Sequence, residues 1–333
     1  MIMSLSNKIA TSTPVTELDR MMRISLRTTQ QETISQHVLP SSALSMAIRR
    51  VRAFFILAKP EITLMVMISA GVASVMASDS LRVMVLVHSV VGIGLLAAGA
   101  AVLNQYLERE LDGKMRRTTR RPLPAGELSE SQALIFGVAV SSLGMLYVLL
   151  LLNALTALLG LLTLISYLFI YTPLKTKTSL CTFVGAFPGA APVLMGWSAT
   201  TNSLTLEAAA LYAILFLWQF PHFYAIGWLY REDYARAGMF MLPSADENDG
   251  GATFRLILIF TQLLIIASLL LTFFAHAGTL YLASAIILGI CFYYFAYQVS
   301  VSQSKLAAKR LLHASVIYLP LLYLFMILDR INR

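Results

Sequence analysis

The chain has 333 residues, of which 58% are hydrophobic and only 13% are charged, and its net charge is +8. Its mean hydropathy is +0.73. Soluble domains carry about 25% charged residues, so a chain of this length and composition cannot cover its surface in water. An ordinary soluble protein is therefore excluded, and the excess apolar surface must face lipid.

Residues 1–52 form a polar arm rich in Ser, Thr, Gln and Arg. A segment of this composition cannot bury enough apolar surface to fold, so we predict that most of the arm is disordered. It lacks the continuous apolar core of a cleavable signal peptide. The rest of the chain, residues 53–330, is predicted to form one transmembrane domain.

Apolar runs of about 17–25 residues are long enough to cross a bilayer as helices. We place nine of them at 61–78, 83–104, 132–151, 153–171, 181–199, 206–229, 254–275, 280–300 and 310–328. With this count, the segments on the side of the N-terminus hold 22 of the 25 Lys and Arg residues. Basic segments stay in the cytoplasm. The predicted fold class is therefore an all-α membrane protein, a bundle of nine transmembrane helices with a cytoplasmic N-terminus.

A polar stretch directly after the second run, residues 104–126, is the strongest candidate for a functional site. Asn104, Glu108 and Asp112 recur every four residues, so they share one face of a helix. Such a row of oxygen ligands suits Mg²⁺, which usually shares them with a substrate phosphate. Basic residues that can grip phosphate oxygens follow it: Lys114, Arg116, Arg117, Arg120 and Arg121. The alternative is a solvated, salt-bridged loop, but the adjacent membrane span favours a site.

A second loop on the same predicted side follows the fourth run and contains Tyr171, Lys175 and Lys177. The lysines could bind a diphosphate as point charges, or they could only anchor a helix end at the membrane interface. An aromatic face such as that of Tyr171 can stabilise a carbocation by about 1–2 kcal/mol.

The sixth run ends in an aromatic segment that contains His222. A lone histidine is more often a hydrogen-bonded interior residue than a ligand, yet an ionisable residue in a membrane span is a functional candidate, and imidazole binds haem iron. The loop after it adds Glu232 and Asp233, with Arg231 and Arg236 beside them. Three polar loops at one rim of an apolar bundle predict a cavity for an amphiphilic substrate with a charged head and a lipid tail.

Four stretches of the chain resemble the UbiA-type intramembrane prenyltransferases, and among them the branch that prenylates haem. These stretches are Lys59-Pro60, Asn104 through Gly126, Tyr171-Thr-Pro-Leu-Lys175, and Pro221-His-Phe through Pro243. The acidic row alone is unspecific. Its combination with Arg-Thr-x-x-Arg-Pro-Leu-Pro, Pro-His-Phe and Asp-Tyr-Ala-Arg-Ala-Gly is highly specific. The resemblance covers residues 50–330 and implies the UbiA-type prenyltransferase fold.

The resemblance implies a reaction in which farnesyl diphosphate donates its C15 chain to a vinyl group of haem B. The product is haem O, used in terminal oxidase assembly, and the implied cofactor is Mg²⁺. The implied location is the inner membrane of a bacterial cell, with the site loops on the cytoplasmic side. Haem A synthase and oxidase assembly proteins are candidate partners, and no nucleic acid is expected.

The resemblance also assigns roles to residues. It implies metal ligation by Asn104, Glu108, Asp112 and Asp233, and diphosphate binding by Arg117, Arg121 and Lys175. It implies haem contact for His222 and Tyr171, with proton handling as the alternative role of His222. All of these residues except Tyr171 are predicted to be catalytic.

Two departures from the family pattern stand out. Where the wider superfamily carries a second Asp-x-x-x-Asp row, this chain has Tyr230 and Tyr234, so the number of metal ions stays open. Glu61 replaces a basic residue that is common in the haem-prenylating branch, and nothing in the sequence explains that change.

Two alternative functions remain. One is a UbiA-type enzyme that prenylates a quinone precursor or a chlorophyll-type acceptor; the Pro-His-Phe segment and the missing second acidic row argue against it. The other is a membrane transporter. Transporters usually show paired repeats and polar residues at mid-membrane depth, whereas the charges here cluster at one membrane face.

Overall fold

A computed structural model describes residues 43–245, 250–274 and 277–332, and every regular element within those ranges is helical. Contacts divide the chain into residues 1–49 and 50–333, and the architecture below is that of the second unit. The predicted disordered arm, residues 1–52, lies mostly outside the described ranges. Its described end, residues 43–52, belongs to a helix.

The helices, in chain order, are α1 (Ala43–Leu57), α2 (Pro60–Met76), α3 (Val83–Lys114), α4 (Glu130–Leu151), α5 (Ala154–Ile165), α6 (Thr172–Leu174), α7 (Cys181–Thr201), α8 (Leu206–Leu229), α9 (Arg231–Ala237), α10 (Leu242–Ala245), α11 (Gly251–Phe274), α12 (Thr279–Ser302) and α13 (Lys305–Ile331). A π-helical segment, Ser166–Tyr171, joins α5 to α6.

Several helix starts are encoded locally. Ser129 and Gln132 form a capping box at α4, and the side chains of Asn153 and Thr205 accept backbone hydrogen bonds at the starts of α5 and α8. Such caps satisfy N–H groups that have no partner within the helix. Pro60 occupies the first turn of α2, where its fixed φ and missing N–H are compatible with a helix.

Within the described ranges, seven helices are long and apolar enough to cross a membrane: α3, α4, α5 with its extension to Leu174, α8, α11, α12 and α13. Helices α1 and α2 meet the criterion only together and are bent by 49°, which makes eight at most. Helix α7, which is rich in Gly, Ala and Pro, is not among these described candidates. The all-α membrane fold is confirmed, whereas the count of nine spans and the cytoplasmic N-terminus stay predictions.

The long helices pack in a ring that follows chain order. Neighbours along the chain contact each other from α2 to α5 and from α7 to α8, α11, α12 and α13, and α13 closes the ring against α8 and α2. Helix α7 contacts α2, α3, α5 and α8, which explains its small residues. At Gly196 a Cβ atom would collide with the carbonyl oxygen of Ala70 on α2. Outward side chains such as Phe169, Phe273 and Ile287 are more than 60% exposed, as lipid-facing residues should be.

Candidate active site

The predicted row of oxygen ligands lies on the last turns of α3, which is 32 residues long. Asn104, Glu108 and Asp112 are buried, with exposures of 1%, 5% and 1%. Burying a carboxylate is costly unless it finds a positive or hydrogen-bonding partner. The groups that surround the row therefore decide what this site can do.

Both carboxylates of the row are paired with a cation from another loop or turn. Arg121 Nη1 donates to both oxygens of Asp112, at 2.8 and 2.6 Å. Lys175 Nζ lies 2.6 Å from Glu108 Oε1. This contact is an ion pair whose angles do not meet those of a hydrogen bond. The structure therefore brings together four of the predicted site residues.

Lys175 is held in its charged form despite its burial. Burial by itself lowers the pKa of its ammonium group, but the carboxylate of Glu108 and the nearby rings of Tyr171 and Tyr167 together raise that pKa above its usual value. The ammonium also lies 4.6 Å from the centroid of the Tyr171 ring. Glu108 and the two tyrosines thus favour the charged form of this predicted diphosphate-binding lysine beside the row.

Asn104 has two partners to which the sequence analysis assigned no role. Lys59 Nζ donates to its Oδ1 at 3.2 Å, and its Nδ2 donates to Thr172 Oγ1 at 3.0 Å. Lys59 has φ 47 and lies directly before Pro60. The Lys-Pro pair at the start of a span is a signal in the sequence, but only the packing of α2 on α3 shows that the lysine reaches this amide.

The loop after α3 folds back onto the row. Thr118 Oγ1 donates to the carbonyl oxygen of Asp112 at 2.7 Å, and the backbone N–H of Arg121 donates to the carbonyl oxygen of Thr118 at 3.0 Å. These two bonds form a tight turn that returns the Arg121 guanidinium to the Asp112 side chain. Pro122 then prevents the chain from continuing as a helix.

The segment that supplies Lys175 contains a π-helical stretch, Ser166–Tyr171, that ends two residues before Pro173. Proline removes one helical hydrogen bond and crowds the carbonyl four residues earlier, and a wider π turn relieves that crowding. Thr172 Oγ1 donates to the Tyr167 carbonyl oxygen at 2.8 Å. Across the helix pair, Gly185 leaves room for the Tyr171 ring, which a Cβ atom there would strike.

The third loop, which follows α8, meets the first loop, which follows α3, through Asp233 and Arg117. The backbone N–H of Arg117 donates to Asp233 Oδ2 at 3.4 Å, and Arg236 Nη1 donates to Asp233 Oδ1 at 2.7 Å. Burial of the Asp233 carboxyl acts to raise its pKa, but hydrogen bonds from the Arg236 side chain and from the backbone of Arg116 and Arg117 hold the pKa below its usual value. Asp233 is therefore an anion that ties these loops together.

An apolar cluster fastens the three loops to one another. Its buried members come from the turn after α3, the start of α7 and the chain from α9 to α10: Met115, Cys181, Tyr234, Ala237, Met239 and Met241. The backbone N–H of Phe240 also donates to the carbonyl oxygen of Lys175 at 2.7 Å. The three predicted site loops therefore lie together at one end of the ring.

His222 lies apart from this network. Its Nδ1 is 2.7 Å from Ser315 Oγ on α13, and its ring stacks on Trp218 with centroids 4.6 Å apart. These contacts, together with a ring contact to Phe223, join α8 to α13 or to itself rather than to the row on α3. The structure leaves the haem and proton roles of His222 as predictions.

The donor set of the row fits a hard divalent cation. Two buried carboxylates and an amide oxygen face the same side of α3, and Mg²⁺ takes oxygen ligands while keeping several positions for water and phosphate. Within the described ranges, no group of three or more His, Cys, Asp and Glu side chains could hold a metal by itself. The row can therefore contribute part of a metal site that a ligand must complete.

These features define a class of membrane protein: a ring of apolar helices with a buried, charged site at one end. The chain belongs to the UbiA prenyltransferase family, whose sequence profile matches residues 64–319. The resemblance read from the motifs is thereby confirmed.

Curated relatives cover most of the chain. A protein of Solibacter usitatus named protoheme IX farnesyltransferase is 45% identical over 290 residues, which are 84% of this chain and 99% of that protein. A protein of Koribacter versatilis with the same name is 44% identical over 252 residues, 74% of this chain and 81% of that protein.

Solved structures with low sequence identity share the fold. A digeranylgeranylglyceryl phosphate synthase superposes with a TM-score of 0.71 at 17% identity, over 85% of this chain and 99% of that one. A UbiA homologue from Archaeoglobus fulgidus, bound to GPP and Mg²⁺, gives a TM-score of 0.58 at 13% identity, over 82% of this chain and 99% of the homologue.

Proposed function

We propose that this chain transfers the farnesyl group of farnesyl diphosphate to a vinyl group of haem B, giving haem O. The C1–O bond of the donor breaks and its electron pair leaves with the diphosphate. The vinyl group forms a new carbon–carbon bond to C1, and water adds a hydroxyl group to the resulting cation and loses a proton. The names of the relatives support this choice of donor and acceptor.

The observation that carries the proposal is the paired row on α3. Asp112 with Arg121, and Glu108 with Lys175, place two anions and two cations side by side in a buried setting. Fixed charges in such a setting stabilise charge that develops on a leaving group better than water does. A neutral substrate would not require this arrangement, whereas a diphosphate head group would.

The expected cofactor is Mg²⁺, held by Asn104, Glu108 and Asp112, with Asp233 as the further ligand implied by the family resemblance. When bound, it supplies positive charge to the diphosphate oxygens. Arg121 and Lys175 are then free to donate to phosphate, because their carboxylate partners serve the metal. The ion pairs of Asp112 with Arg121 and of Glu108 with Lys175 hold both the anions and the cations in position.

The remaining predicted residues are assigned to the acceptor side and to the diphosphate. Arg117 supplies a planar guanidinium for bidentate phosphate contact. Tyr171 presents an aromatic face near the site, where it can stabilise the allylic cation by about 1–2 kcal/mol. His222 contacts haem or handles the proton released by water. We place the site loops on the cytoplasmic side of a bacterial inner membrane, with haem A synthase and oxidase assembly proteins as candidate partners.

Purified protein in detergent, incubated with haem B, farnesyl diphosphate and Mg²⁺, should produce haem O, identified by its mass. Removing Mg²⁺ with a chelator should stop the reaction, and adding it back should restore it. The Asp112→Asn variant is the matched control for background chemistry. Prenylation of 4-hydroxybenzoate without any haem O would overturn the proposed acceptor, and ion flux through liposomes that needs neither substrate would favour a transporter.

A further inference from the structure

Two tyrosines of the third loop hold the guanidinium of Arg117. Its Cζ lies 4.6 Å from the centroid of the Tyr230 ring and 5.4 Å from that of Tyr234. Its Nη2 also donates to the Tyr234 hydroxyl at 3.0 Å. Two ring contacts and one hydrogen bond fix a side chain that otherwise has many rotamers. Arg117 remains exposed, so its other N–H donors are open to a ligand.

The turn that carries Arg117 is bonded to the acidic row on both sides of it. Thr118 donates to the backbone of Asp112, and Arg121 donates to the carboxylate of the same residue. Arg117 itself is bonded through its backbone to Asp233 on α9. The fixed guanidinium therefore lies between the end of α3 and the third loop.

The two acids in the described part of the third loop, Glu232 and Asp233, are bonded to other groups. Glu232 Oε1 pairs with Lys305 Nζ at 2.8 Å and is largely exposed. Asp233 uses one oxygen for Arg236 and the other for the backbone of Arg117. The three side chains of the row on α3 recur on one helix face, whereas the adjacent Glu232 and Asp233 direct their carboxylates to different partners, Lys305 on one side and the Arg117 turn on the other. On the third-loop side of the site, the described residues therefore present the positioned guanidinium of Arg117 instead of a second carboxylate row.

We propose that Arg117, positioned by Tyr230 and Tyr234, takes the place of a second metal ion on the diphosphate, so that the site holds a single Mg²⁺. This inference rests on the proposed function, because it assumes a prenyl diphosphate as donor. It replaces the metal-ligand role expected for Asp233 by a structural one, that of anchoring the turn of Arg117. Tyr230 and Tyr234 are positioning residues that act through the guanidinium.

The first test counts metal ions. Purified protein is loaded with Mn²⁺ in place of Mg²⁺ and with the unreactive analogue farnesyl thiodiphosphate, and bound Mn²⁺ is measured by electron paramagnetic resonance. We expect one Mn²⁺ per chain with no spectral coupling between ions, and the same count in Asp233→Asn. Two bound ions in the wild type, or loss of a bound ion in Asp233→Asn, would overturn the inference.

The second test measures binding of the analogue to variants that keep the same Mn²⁺ count. Loss of a charge-assisted, bidentate contact corresponds to about a ten- to hundredfold weaker affinity, and we expect this for Arg117→Ala. Arg117→Lys should rescue little, since an ammonium cannot make the fork contact or stack in the same way. The double variant Tyr230→Leu with Tyr234→Leu should weaken binding in the same direction, and Tyr230→Phe should not.

Arg310→Ala is the matched control, because Arg310 is an exposed arginine of α13 with no part in the site, and it should bind the analogue as the wild type does. Equal affinity of Arg117→Ala and Arg310→Ala would overturn the inference alone. A wild-type protein that binds no farnesyl thiodiphosphate with Mn²⁺ present would overturn the proposed function together with it.

Discussion

The buried pair of Asp112 and Arg121 shows how single residues determine this site. Asp112 is 1% exposed, and one nitrogen of Arg121 lies within 2.8 Å of both its oxygens. Removing one member of a buried pair leaves the other uncompensated and can cost about 3–5 kcal/mol. A substitution that keeps the shape of the side chain and removes only its charge is therefore the best way to distinguish an effect on catalysis from an effect on folding.

Asp112→Asn should abolish haem O formation while the protein still inserts into the membrane. The amide keeps the volume and a hydrogen bond to Arg121 but loses the charge that a metal requires, and the loss of such an electrostatic contact is on the order of 100-fold or more. Arg121→Ala should have a similar effect. Haem O measured by mass in membrane extracts gives the result.

Glu110→Gln is the control for Asp112→Asn. Glu110 lies on the same helix but off the row, and its side chain is 83% exposed. Its variant should make haem O at the wild-type rate. Near-normal activity in Asp112→Asn or Arg121→Ala would contradict the roles assigned to the pair.

His222→Ala should reduce haem O formation strongly, by about tenfold or more if the imidazole contacts the haem. Its bond to Ser315 orients the ring, so Ser315→Ala should show a smaller loss in the same direction. The Soret band of added haem B reports binding independently of turnover. His313→Ala, which removes an exposed histidine of α13, is the control, and a His222→Ala variant indistinguishable from it would argue against both proposed roles.

At the scale of elements, the joint between α5 and α6 positions the second loop. The π-helical segment and Pro173 turn the chain so that Thr172 reaches Asn104 and Lys175 reaches Glu108. Gly185 on α7 lets the Tyr171 ring pack closely. An element that is irregular for a physical reason thus delivers two polar groups to the row.

Gly185→Ala should lower both thermal stability in detergent and the rate of haem O formation. The added methyl group would strike the Tyr171 ring, and overpacking of this kind costs about 1–3 kcal/mol. Displacement of the ring should also shift Lys175. Thermal unfolding followed by fluorescence, together with the activity assay, measures both effects.

Gly113→Ala is the matched glycine control, since no atom lies within 4 Å of a Cβ placed there. Alanine is a better helix former than glycine by about 0.5–1 kcal/mol, so this variant should be as stable as the wild type or slightly more so. Equal behaviour of the two glycine variants would show that Tyr171 packing is not limiting.

For the molecule as a whole, the direction of α7 relates the site end of the ring to one side of the membrane. The apolar cluster that joins the three loops contains both Met115 and Cys181, so α7 starts at the site end of the ring. Its 21 residues rise by about 1.5 Å each, which carries Ser203 to the opposite end. The two ends must therefore face opposite sides of the membrane if α7 crosses it.

Cysteine labelling tests this orientation in a background where Cys181 and Cys291 are replaced by serine. With a membrane-impermeant maleimide, spheroplasts should show labelling of Ser203→Cys, and Thr119→Cys should be labelled only after permeabilisation. The reverse pattern would place the site loops outside and contradict the orientation drawn from the basic residues. Haem O formation by both variants serves as the check on folding.

The sequence by itself determined the membrane class, the helical positions and the identity of the family. These follow from composition, from the length of apolar runs and from local spacing, such as the row Asn104, Glu108 and Asp112, because helix periodicity alone puts such residues on one face. The distribution of Lys and Arg also predicted that the three loops share one end of the bundle, and the structure brings them together there.

Only the tertiary structure decided which charges pair and which residues share the site. Lys59 and Thr172 join Asn104, and Tyr230 and Tyr234 enclose Arg117, although each of these contacts spans 45 or more residues of chain. His222 proved to contact Ser315, 93 residues away. Such contacts depend on how helices pack against one another. Because helix packing depends on many side chains at once, local sequence patterns do not predict it.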